Sequence, residues 1–143
     1  MLHCILAARQ SNNGNQGETV DIELISSTEI ALKQLHKPGF EISSSDPELH
    51  YGAIEMFVSS LAMCTFSVLA AYGERVEVGV DALSIGLKWT YGEKPHRIDQ
   101  VDMDVRWPEI PESKLDVAMR SAATCTIHRT MTHSVEVETM IDR

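Results

Sequence analysis

Residues 56–65 read Met56-Phe57-Val58-Ser59-Ser60-Leu61-Ala62-Met63-Cys64-Thr65, and the helix this run implies organises everything around it. Ala53, Phe57, Ser60, Leu61, Cys64, Ser67, Val68 and Ala71 recur at spacings of three and four. That is the period of one helical face, so the pattern predicts a helix over roughly residues 49–72. Met56, Met63 and Leu69 make the far side apolar in places, which implies burial on more than one face. Ser43-Ser44-Ser45-Asp46-Pro47 leads into the helix as a loop, and Gly73-Glu74-Arg75 reads as its stop.

Downstream the period changes from 3.6 to 2. Leu83, Ile85, Leu87 and Trp89 alternate with Ser84, Gly86, Lys88 and Thr90. After Gly92-Glu93-Lys94-Pro95, Val101, Met103, Val105 and Trp107 alternate with Asp102, Asp104 and Arg106. These are two strands of a hairpin with one wet face, ended by Pro108 and Pro111. Ser113 reads as the N-cap of a second helix. Its buried stripe is Leu115, Ala118, Met119, Ala122 and Cys125, which puts Cys125 on the inward face at the C-terminal end. Val135, Val137, Thr139 and Ile141 alternate as a last strand.

Upstream, residues 3–9, 19–25 and 29–35 read as strands, with a loop at 11–17 and a break at Pro38-Gly39. Strands and helices are segregated along the chain, so the fold class is α+β rather than a doubly wound sheet. The 143 residues make a single domain, 1–143, large enough to bury a core.

Composition excludes several functions. A formal net charge of −9 is unsuited to the phosphate contacts of a nucleic-acid binder, so no nucleic acid is expected as a partner. The longest apolar run is interrupted by Ser59 and Ser60, so no membrane-spanning segment is expected. His3, Arg9 and Gln10 break up the N-terminal run, which makes a poor signal peptide. Three cysteines without dense spacing point to a reducing compartment, the cytoplasm.

Cys64 and Cys125, 61 positions apart, cannot form a CxxC motif and are too few for a thiolate zinc site. They suit a thiol that reacts and a second that resolves it, if the fold joins their helices. The competing reading is that each is a small core hydrophobe, the usual lot of free cysteine. Cys4, in the first strand and without a motif, reads as structural. Glu55 fits a capping carboxylate as well as a catalytic one. His128, Arg129 and His133 beside Cys125 read as a polar turn rather than a metal site, and no cofactor or metal is expected.

The run from Glu55 through Cys64 to Thr65, preceded by Pro47, resembles one motif of the OsmC/Ohr family of thiol peroxidases. Cys125-Thr126-Ile127-His128-Arg129 resembles the family's second motif, with Thr126 where Pro is usual. The likeness covers the chain from about Asp46 onward. It implies an α+β fold of antiparallel sheets wrapped around two central helices in an intertwined homodimer. It also implies a cysteine-based reduction of organic hydroperoxides, with Cys64 as peroxidatic thiol and Cys125 as resolving thiol. Glu55 and Arg9 are the candidate helpers, and an external dithiol the reductant. Phe57, Leu61, Met63 or Met119 are candidates for an apolar substrate pocket. The alternative is a non-catalytic member that holds a small apolar ligand at the dimer cleft.

Overall fold

The computed structural model of the chain describes residues 19–142. The strand expected at 3–9, the loop at 11–17, and both Cys4 and Arg9 lie outside them. Five strands form one sheet: β1 (Thr19–Ser26), β2 (Glu29–Lys33), β3 (Gly39–Ser44), β4 (Ser84–Glu93) and β5 (His96–Arg106), in the order β3-β1-β2-β4-β5. Three helices complete the α+β architecture: α1 (Ala53–Val76), α2 (Leu115–Ala122) and α3 (Thr126–Thr132).

The period-2 residues on the inner face make the core. Val20, Ile22, Ile30, Leu32, Ile85, Leu87 and Trp89 are all fully buried, each stabilising the fold by about 1.5–3 kcal/mol. The other face is wet and carries cross-strand ion pairs. Lys88 lies opposite Glu29 in the register, with Nζ 3.3 Å from the carboxylate. Strand β3 was not foreseen. It pairs with β1 in parallel, Thr19 beside Gly39 through Leu24 beside Ser44, so the sheet is mixed rather than wholly antiparallel. Its side chains are half-buried or exposed, and a strand that fills no core leaves little hydrophobic period to read.

Helix α1 lies across the inner face. It begins later and ends later than the spacing predicts, running through Gly73 to a left-handed Glu77 with φ 58°. Gly73 is therefore not a stop signal. A Cβ there would meet the Val78 carbonyl oxygen at 2.8 Å and the Trp107 ring at 3.1 Å, so glycine permits a close approach. Trp107 is fixed by its indole N–H donating to Gly79 O at 2.7 Å and meets Tyr72 edge to face. The helix is also long and apolar enough to cross a membrane by length and composition, contrary to the expectation drawn from Ser59 and Ser60. Ser60 donates to the Phe57 carbonyl within the helix, so its hydroxyl interrupts neither the helix nor its apolar character.

Two further expectations are corrected. The helix predicted from Ser113 is split: a 3-10 turn at Glu112–Lys114 precedes α2, and Ser113 caps nothing. The strand expected at 135–141 does not form; residues 134–142 are without regular structure, and Val137 and Ile141 are 81% and 88% exposed. Its alternating pattern has no neighbouring strand among the described residues to pair with.

Candidate functional site

Helix α1 has two unlike flanks. Val58, Leu61, Ala62, Thr65 and Leu69 are buried, whereas Met56, Phe57, Ser67 and Ala71 are exposed. Cys64 sits at the boundary, half-buried.

Cys125 arrives between α2 and α3, both of which pack on α1. Helix α2 ends in a turn in which Thr124 N–H donates to Ser121 O at 2.9 Å and Cys125 N–H to Ala122 O at 3.2 Å. Cys125 then adopts φ −54°, ψ 136° and becomes the N-cap of α3, its Sγ accepting the His128 N–H at 3.3 Å. It is therefore not the last residue of a continuous helical stripe. Of that stripe, Ala118 and Cys125 are buried, while Leu115 and Met119 are exposed.

The cap aims α3 at Cys64. The backbone N–H groups of Thr126 and Ile127 face the Cys64 sulfur, and the Cys125 thiol can donate to it as well. Burial pushes the Cys64 thiol up, but these three donors outweigh it and hold the thiol below its ordinary value. Burial pushes the Cys125 thiol up as well, and there donating its proton to Cys64 adds to the rise. The His128 N–H and the Thr65 hydroxyl oppose it, and charge on Cys64 raises it further. One thiol of the pair is set to ionise first. A mid-helix cysteine gains nothing from its own helix dipole; here the donors come from the start of a different helix.

Among the described residues no guanidinium acts on either sulfur. Glu55 caps the start of α1: its carboxylate Oε2 accepts the Gly52 N–H at 2.9 Å, the reach-back half of a capping box. Arg9 lies outside the described residues. His133 packs its ring Nδ1 against Arg129 O at 2.8 Å, and no cluster of three metal-ligating side chains occurs among the described residues.

A cavity of about 370 Å³ opens between α1, β5 and α2, walled by Leu69, Met103, Val105, Trp107, Met119 and His128; neither cysteine lines it. Of the pocket residues anticipated, only Met119 lines it; Leu61 is sealed in the core and Phe57 faces outward. The contributions of Thr65, Thr126, Ile127 and the His128 backbone were not anticipated. Cysteine is outside the usual N-cap set, so the sequence carries no signal for a helix beginning at Cys125.

A family model described as OsmC-like protein matches residues 46–140. No curated protein matches the chain. Two solved structures are similar in fold. One, from Psychrobacter arcticus 273-4 and described as an osmotic stress induced and detoxification response protein, has a TM-score of 0.54 at 11% identity, over 83% of this chain and 91% of that one. The other is an OsmC-like hydroperoxide resistance protein from Jannaschia sp. CCS1, with a TM-score of 0.52 at 15% identity, over 80% and 82%.

Proposed function

The chain belongs to the OsmC-like protein family, and from that premise we propose that it is a thiol-dependent peroxidase acting on organic hydroperoxides. The observation that carries this reading is the meeting of two free thiols, Cys64 on α1 and Cys125 at the start of α3, and the bias of ionisation toward Cys64 agrees with it. The Cys64 thiolate attacks the terminal oxygen of ROOH; the O–O bond breaks, the alkoxide takes a proton and leaves as ROH, and Cys64 becomes a sulfenic acid. Cys125, as thiolate, attacks the Cys64 sulfur, expelling hydroxide that leaves as water and forming the disulfide. An external dithiol reduces it by exchange, which suits a reducing, cytoplasmic setting. The apolar cavity beside His128 favours an alkyl substituent on the peroxide.

The same reading takes a second copy of the chain as partner. The open flank of α1, with Met56 and Phe57 51% and 43% exposed, leads directly to Cys64, and the unpaired apolar residues of 134–142 add to it. A homodimer would cover both. The cavity also supports a second reading, in which the protein holds a small apolar ligand and its thiols stay inert.

Substitution separates them. Cys64→Ser should abolish hydroperoxide consumption in the presence of a dithiol, because an ordinary hydroxyl is no nucleophile toward peroxide. Cys125→Ser should be oxidised once and stall as a sulfenic acid on Cys64. Wild-type protein that leaves both thiols intact and consumes no hydroperoxide would support the ligand-binding reading.

A further inference from the structure

We propose that Thr65 is a positioning residue for the second step: its hydroxyl is kept free of backbone partners so that it can hold the Cys125 sulfur as a thiolate. This rests on the peroxidase reading and deepens it. Thr65 is fully buried in α1 beside Cys64, and its Oγ1 has no hydrogen-bond partner among the described residues. Helical hydroxyls ordinarily donate to the carbonyl three or four residues back. Others here do so: Ser67 to Met63 O at 3.0 Å, Thr130 to Thr126 O at 2.9 Å and Thr132 to His128 O at 3.0 Å. Two helical hydroxyls, Ser59 and Thr65, are buried in α1 and keep their donors unpaired, and of the two only Thr65 acts on a thiol among the described residues. Valine would fill the same space without orphaning a polar atom, so packing does not explain the hydroxyl.

What the hydroxyl faces is the Cys125 sulfur. In the thiol state the contact is looser than a formed hydrogen bond, and Oγ1 stays unpaired. A thiolate is a far stronger acceptor. The groups acting on Cys125 are few: Cys64 and Thr65 from α1, and the His128 N–H from α3, with Cys64 the only charge among the described residues. Once ROOH has oxidised Cys64 to the sulfenic acid and departed as ROH, that charge is gone. Burial of Cys125 is then opposed only by the His128 N–H and the Thr65 hydroxyl. The effect of Thr65 therefore falls on the resolving step, in which Cys125 gives up its proton, bonds to the Cys64 sulfur and displaces hydroxide.

The test titrates cysteine labelled with ¹³C at Cβ in Cys64→Ala protein, where no peroxide chemistry and no Cys64 charge remain; Cys4→Ser assigns the second resonance. Thr65→Val should raise the Cys125 midpoint enough to cut its thiolate fraction about tenfold at neutral pH, and Thr65→Ser should restore it. An unchanged midpoint in Thr65→Val overturns the proposal whether or not the protein turns over hydroperoxide. With all cysteines present, Thr65→Val should lengthen the sulfenic acid lifetime on Cys64 about tenfold at neutral pH, the deficit closing as pH rises. A deficit equal at every pH marks a packing effect and also overturns it. Wild-type protein that never forms a sulfenic acid would remove the peroxidase reading, and the titration would still decide what Thr65 does to Cys125.

Discussion

The two flanks of α1 are made from the same kinds of residue and do opposite things. Toward the sheet, Val58, Leu61, Ala62 and Leu69 close against Ile85, Leu87 and Trp89 in one core cluster. Away from it, Met56 and Phe57 are as apolar as those residues yet stand in the open, with Cys64 between the two regimes. Among the described residues the inner flank is covered, and the outer flank is not. Stability therefore resides on the sheet side of the helix, and the proposed self-association and chemistry fall on the other.

Substitutions on each side should show that division. Phe57→Glu should abolish self-association in sedimentation while leaving a folded monomer, because a buried unpaired carboxylate at a dimer contact is strongly unfavourable. A wild-type protein that is monomeric at micromolar concentration would remove the partner from the picture. Trp89→Ala should cost about 3–5 kcal/mol in denaturant unfolding. Phe57→Ala, measured under conditions where the chain is monomeric, should stay within about 1 kcal/mol. Near-equal losses would erase the distinction between the flanks.

How much of this the sequence discloses follows the same line. Leu83, Ile85, Leu87 and Trp89 announce a strand because each second residue is driven into one core, and all four are buried. Helix α1 is legible for the same reason, at a period of 3.6. Strand β3 is not, since Phe40 is 61% exposed and its partner, β1, lies across a parallel crossover. The pattern at 135–141 is read correctly as period 2, but a period needs a neighbour before it becomes a strand. At the site, the motifs around Cys64 and Cys125 single out the two cysteines that the fold brings together. The donors that bias them, the N–H groups of Thr126, Ile127 and His128, are backbone and have no sequence signature.

Glu55 supplies a smaller effect. Glu55→Ala should lower stability by about 0.3–1.5 kcal/mol through loss of the capping box, with hydroperoxide turnover per folded molecule unchanged. Lost turnover at full stability would return Glu55 to the site. The pH dependence is subtler still. Cys64 binds fewer protons when folded than a free thiol does. Its contribution to stability is thus present above the ordinary thiol value and fades as pH falls through its own lower midpoint. Cys125, held up, keeps its proton longer than a free thiol. It weakens the native state as pH climbs from the ordinary value toward its own midpoint. Alkylation at Cys64 should therefore be half-maximal below the pH at which Cys125 responds, and the reverse order would invert the roles of the two thiols.

The most direct measurement is the covalent fate of the pair. Fully reduced protein is treated with one equivalent of an organic hydroperoxide, quenched with an alkylating reagent and mapped by peptide mass. The expected result is loss of two thiols and appearance of one intramolecular Cys64–Cys125 disulfide, with one ROH released for each. Both thiols recovered alkylated, or a disulfide joining any other pair, would contradict the assignment of these two helices as a peroxide-reducing site.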